Sequence, residues 1–135
     1  MDQIDSLYII EQELYKARMM SAISLKEIKA SAYKVDLDAI YNIERHREYM
    51  IDSLIRYVKI LGKHLFLADQ PISDLSDIGR LLKQKRAQAG LSLIAAYSES
   101  KVLPKSISKI EQGKNYRKTT LVNYISYYHL HFSID

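Results

Sequence analysis

At 135 residues and a formal net charge of +4, the chain has room for one ordinary domain or two very small ones. Its composition, 47% hydrophobic and 27% charged with four Gly and two Pro, is that of an ordered helical protein and excludes a disordered or low-complexity chain. With no Cys, a disulfide framework, a thiolate metal site and a cysteine nucleophile are excluded, and a reducing cytoplasm is the expected compartment.

The opening residues Met1-Asp2-Gln3-Ile4-Asp5 lack the basic start and apolar core of a secretory leader. No apolar run approaches about 18 residues, so no membrane span is expected. A first helix carries Leu14 and Arg18, and Ser24-Leu25-Lys26-Glu27 has the form of a capping box that opens a second. Asp36 and Asp38 start a third, which contains Ile40 and Ile43; a fourth carries Leu54, Ile55, Tyr57, Val58 and Leu61. The stretch Ala68-Asp69-Gln70-Pro71-Ile72-Ser73-Asp74 reads as a short turn, so what it joins should lie side by side. Beyond it, Ile78, Leu81, Leu82, Lys85 and Arg86 recur at helical spacing, and Gly90 ends that helix. Ser92 caps the next. Pro104 suits the first turn of the one after, where Ile107 and Ile110 form a buried edge and Gly113 closes it. The last helix carries Leu121, Val122, Tyr124, Ile125 and Tyr128.

The second half repeats the first. At an offset of 68, Leu14, Arg18, Ser24 and Leu25 fall on Leu82, Arg86, Ser92 and Leu93. At an offset of 67, Ile40, Ile43, Glu44, Tyr49, Leu54, Tyr57 and His64 fall on Ile107, Ile110, Glu111, Tyr116, Leu121, Tyr124 and His131. One residue is therefore inserted in the first copy's turn. The sequence predicts an all-α chain of two tandem small helical bundles, 1–70 and 71–135. Charge divides unequally: residues 1–70 hold 10 basic and 11 acidic side chains, residues 71–135 hold 10 and 5, so the halves carry −1 and +5. A basic half beside a neutral one suits a polyanion.

The run from Ile78-Gly79-Arg80-Leu81-Leu82-Lys83 to Arg86, then Ala89-Gly90-Leu91-Ser92, then Ile107-Ser108-Lys109-Ile110-Glu111-Gln112-Gly113-Lys114, resembles the lambda-repressor/Cro-like (XRE family) helix-turn-helix domains. The resemblance covers residues 76–134, and residues 10–67 join it through the repeat and through Ile43-Glu44-Arg45. It implies a five-helix unit whose second and third helices form the helix-turn-helix, with the third in the major groove of double-stranded DNA. On that pattern Lys105, Ser106 and Lys109 face the groove, and Lys114, Asn115, Tyr116, Arg117 and Lys118 follow as a loop that grips phosphates. It also implies ion pairs Arg18 with Glu44 and Arg86 with Glu111 that belong to the fold rather than to a site.

Three residues depart from the pattern. Leu93 replaces a polar phosphate contact, Tyr97 stands where a small residue is usual, and Lys101 stands where the turn usually has Gly. The latter two are expected to open the angle between the two helices. In the first copy Asp36 and Asp38 would repel phosphate, partly offset by Arg45, His46 and Arg47, so that copy is expected to hold a protein partner rather than read bases.

His64, His129 and His131 do not share a helical face with acidic partners, so no metal or other cofactor is expected. Most of the eleven tyrosines fall on core stripes, with Tyr116 the one placed to reach a phosphate. No Gly-rich phosphate loop, nucleophile elbow or His-Glu-x-x-His spacing occurs, which argues against an enzyme. The expectation is a sequence-specific transcriptional regulator that binds duplex DNA as a homodimer. The alternative is a protein-interaction module in which degenerate repeats dimerise or capture a partner.

Overall fold

The computed structural model describes residues 5–31 and 33–135; residues 1–4, where no leader is expected, and Ala32 lie outside the described residues. Asp5 starts α1 (Ser6–Met20) by accepting the Tyr8 amide, and Leu7, Ile10 and Leu14 turn one stripe of it into the core. Ser24 starts α2 (Leu25–Lys29) by accepting the Glu27 amide. α3 (Leu37–Glu44), capped by Asp36, buries Ile40 and Ile43, and α4 (Ile51–Ile60) buries Leu54, Ile55, Tyr57 and Val58.

After a pair of short strands, β1 (Leu65–Leu67) and β2 (Gln70–Ile72), the helical series runs again. A full capping box between Asp74 and Asp77 opens α5 (Leu75–Gln88), and Ser92 opens α6 (Leu93–Ser100) through the Ala95 amide. Pro104 stands at the first turn of α7 (Pro104–Glu111), and α8 (Lys118–Tyr127) buries Leu121, Tyr124 and Ile125. Unlike α6, with eight residues, α2 has only five. The turns that follow nonetheless deliver the matching Val35 and Val102, both buried.

The chain is predominantly helical, but an all-α reading omits a three-stranded antiparallel sheet in the order β2-β1-β3, completed by β3 (Phe132–Ile134). The stretch read as a plain turn holds the hairpin's turn and its second strand, and the 70/71 boundary falls inside β2. Ala68 and Asp69 both take positive φ, 50° and 65°, the backbone of tight two-residue hairpin turns. Neither is Gly, so the usual hairpin signature is missing.

Pairing between the two series follows a two-fold pattern. In the β1–β3 ladder Phe66 faces Ser133, its own counterpart at the offset of 67, while Leu65 faces Ile134 and Leu67 faces Phe132. A separate antiparallel bridge joins Met50 to Arg117, again counterparts. Around it the Ile51 amide donates to the Tyr116 carbonyl and the Lys118 amide to the Tyr49 carbonyl, each at 2.9 Å. Side chains repeat the exchange: the Asp52 amide donates to Asn115 Oδ1 at 3.1 Å, and the Thr119 amide to Glu48 Oε1 at 2.9 Å. Met50 and Arg117, the N-cap residues of α4 and α8, make no side-chain cap of their own, and each helix start is instead capped from the other half. One hydrophobic cluster runs through both halves, and the Phe132 amide donates to the Ser6 hydroxyl at 2.8 Å, closing the last strand onto the first helix.

Candidate nucleic-acid interface

Burial of Ile107 and Ile110 fixes the rotation of α7. Lys105 and Lys109, four residues apart, therefore stand exposed on one face, with Ser106 half-buried between them. Gly113 turns the chain out of the helix at φ 73°, where a Cβ would lie 2.8 Å from Ser76 Oγ. Lys114 and Arg117 then project into solvent. Ser106, Lys109, Asn115, Arg117 and Thr120, with Met50 from the first half, line an open groove of about 330 Å³ at the start of α8. Among the described residues Lys105, Lys109, Lys114 and Arg117 join no ion pair. Lys105, Lys109 and Lys114 add positive charge to this face, while the α8 N-terminus itself is already capped by the Glu48 carboxylate, which Arg117 also faces.

Three residues of the expected phosphate loop do other work. Tyr116 lines the groove but is 5% exposed, and its hydroxyl is buried with no hydrogen-bond partner among the described residues, so it does not present a phenol to a phosphate. Burial alone pushes its pKa up. Lys118 turns inward, with Nζ 3.0 Å from Glu11 Oε2 and 4.9 Å from the centre of the Tyr49 ring. Asn115 is exposed, but its carbonyl oxygen is engaged as the cap of α4.

In α6 Tyr97 is 40% exposed, and the fully buried Ala96 beside it is the residue that faces the core. Lys101 adopts the left-handed backbone usually left to Gly, φ 65°, with its amide bonded to the Tyr97 carbonyl at 2.7 Å. Leu93 packs half-buried against the core.

The ion pairs are two-pronged in both halves. Arg18 Nε and Nη2 reach Glu44 at 2.6 and 2.8 Å, and Arg86 reaches Glu111 at the same two distances. Each guanidinium also donates to a carbonyl at the helix turn, Ile23 or Leu91, so α1 is tied to α3 and α5 to α7. The bond to Glu44 holds Arg18 still more firmly protonated than usual. Tyr57 donates to the same Glu44 at 2.5 Å, whereas its counterpart Tyr124 pairs with Tyr128.

In the first half the basic side chains of this face are mostly replaced. At the offset of 67, Asp38 stands for Lys105, Ala39 for Ser106, Asn42 for Lys109, Glu48 for Asn115 and Met50 for Arg117. Arg47 stands for Lys114 and is exposed. Of its neighbours, Arg45 lies 3.5 Å over the Tyr41 ring, and His46 stacks on Tyr8 with Nδ1 2.8 Å from Glu11.

Sequence reasoning missed the Glu11 cluster altogether. Glu11 is 1% exposed and takes hydrogen bonds from Tyr49, at 2.5 Å, and Lys118, and meets His46. Burial and the Glu11 carboxylate together push the Tyr49 pKa well above its ordinary value. Its counterpart at the offset of 68 is Gly79, where a Cβ would come within 2.5 Å of the Ile110 carbonyl oxygen. The second half thus packs α5 directly on α7, and the first opens that contact for a carboxylate. The orphaned Tyr116 hydroxyl follows from the exchange: the acceptor that Tyr49 has in Glu11 is replaced by Gly79. The available signal was a charged residue at i+4 from Leu7 and i−3 from Leu14, inside the apolar stripe.

Among the described residues no group of three or more His, Asp or Glu is placed to hold a metal ion, and no helix is long and apolar enough to cross a membrane. No protein-family model, curated protein or solved structure matches the chain.

Proposed function

We propose that the chain is a sequence-specific regulator that binds duplex DNA, built as two tandem lambda-repressor-like bundles of which the second reads DNA. In this reading α6 and α7 are the helix-turn-helix, Lys105 and Lys109 meet base edges in the major groove, and Lys114 and Arg117 hold phosphates. The observation that carries it is the groove at the start of α8, where Lys109 and Arg117, which join no ion pair among the described residues, stand beside the Ser106 and Thr120 hydroxyls and the Asn115 amide. The two-pronged Arg86–Glu111 pair adds support, because it anchors α7 while leaving its outer face free.

A gel-shift titration of the full chain against random duplex at about 50 to 100 mM salt tests it, since a basic helix-turn-helix binds at least non-specifically there. A shift that weakens with salt, and weakens further in Lys109→Ala/Arg117→Ala, is the expected result. Absence of any shift would overturn it. A protein-interaction module is the second reading, favoured by Ile94 and Leu103, which are 69% and 59% exposed near the same helices.

A further inference from the structure

We infer that one chain takes the place of a homodimer: a single molecule spans two half-sites of one duplex, reads sequence in only one, and holds the other by its backbone. The inference rests on the DNA-binding reading above and adds stoichiometry, symmetry and a second contact, Arg47.

The two halves are already paired with each other as two copies related by a two-fold axis would be. Two separate contacts obey the same two-fold rule, the Met50–Arg117 bridge and the Phe66–Ser133 centre of the ladder. The reciprocal caps Asn115 to Asp52 and Glu48 to Thr119 obey it too. A two-fold operation leaves distance along its axis unchanged. If Lys114 meets a phosphate on a duplex lying across that axis, Arg47 at the equivalent position in the other half meets the duplex at the same depth. Duplex DNA has local two-fold axes of its own, which is the geometric reason paired readers sit on half-sites about one helical turn apart.

The contents of the two halves break the symmetry. Where α7 offers Lys105 and Lys109, α3 offers Asp38 and Asn42, and Arg117 becomes Met50. A carboxylate at the start of the third helix opposes close approach to phosphates, whereas Arg47 remains exposed and joins no ion pair among the described residues. The first half therefore keeps a phosphate grip without a reading face, and the preferred site is asymmetric.

The test selects duplexes of about 30 base pairs, long enough for two half-sites one turn apart, from a randomised pool with the full chain. It then measures stoichiometry by sedimentation and affinity across salt for wild type, Arg47→Ala and Lys114→Ala. Expected are one chain per duplex, sequence preference confined to one half of the site, and a salt slope reduced by about 0.9 in either variant without change of preference. Two chains per duplex, a palindromic selected sequence, or an Arg47→Ala slope equal to wild type would overturn the inference while leaving DNA binding standing. No retention of any duplex would overturn both.

Discussion

Glu11→Ala removes the carboxylate that Tyr49, His46 and Lys118 share, and so severs a link between the halves at a buried point. Breaking one partner of a buried pair costs about 3 to 5 kcal/mol. The lower end, about 3 kcal/mol, applies because the Lys118 side chain is 15% exposed, can recover water, and keeps the Tyr49 ring beneath it. Lys118→Ala leaves the Glu11 carboxylate, 1% exposed, with only Tyr49 and His46, so it should cost at least as much, about 3 to 5 kcal/mol. Because both variants remove the same contact, the double variant should be less destabilised than their sum by about 1 to 2 kcal/mol. Urea unfolding of all four proteins measures this, and a single coincident transition by far-ultraviolet and tyrosine signals is expected in wild type. Additive effects within about 0.5 kcal/mol would refute the interlock.

Gly79→Ala should cost about 2 to 3 kcal/mol in the same assay, since its Cβ meets the Ile110 carbonyl oxygen at 2.5 Å and backbone yields poorly; an unchanged midpoint would deny the close α5–α7 contact. Lys101→Gly should stabilise by about 1 kcal/mol, because the left-handed φ of 65° strains a side-chain-bearing residue; a loss in the denaturation midpoint would contradict that. Partial burial alone would raise the Glu48 pKa, but the bonds from Thr119 and the nearby Lys118 and Arg117 outweigh it and hold it below its ordinary value of 4.5. A carboxylate depressed in the folded state contributes stability above its unfolded pKa and loses it as pH falls through the folded value. Glu48→Gln should therefore lower stability at neutral pH and flatten the acid limb below about pH 4.5, as read by thermal melts across pH.

The helices could be read from the sequence because local signals agree: Ser24, Ser92 and Pro104 stand at helix starts, and Ile107 with Ile110 fixes a buried edge. The sheet could not, because its strands are three residues long and β3 finds its partner across the 64 residues from 68 to 131, with no local turn to announce it. Positions 50 and 117 held a usable clue. Met and Arg are poor N-caps, so the starts of α4 and α8 needed an acceptor from elsewhere, and Asn115 and Glu48 supply it. Of the expected DNA-facing residues, Lys105, Lys109, Lys114 and Arg117 are exposed as charge and helical period require. Lys118 could not be placed from its loop position, because what draws it inward is Glu11 in the opposite half.

The central claim is that α7 reads sequence, and its most direct measurement is the preference of the full chain for a selected duplex over a random one, wild type against Lys105→Ala/Lys109→Ala. With both proteins matched in thermal stability, wild type should prefer the selected duplex by about 10³-fold or more at physiological salt, and the variant should lose most of that preference. An equal preference in the two proteins would contradict the account.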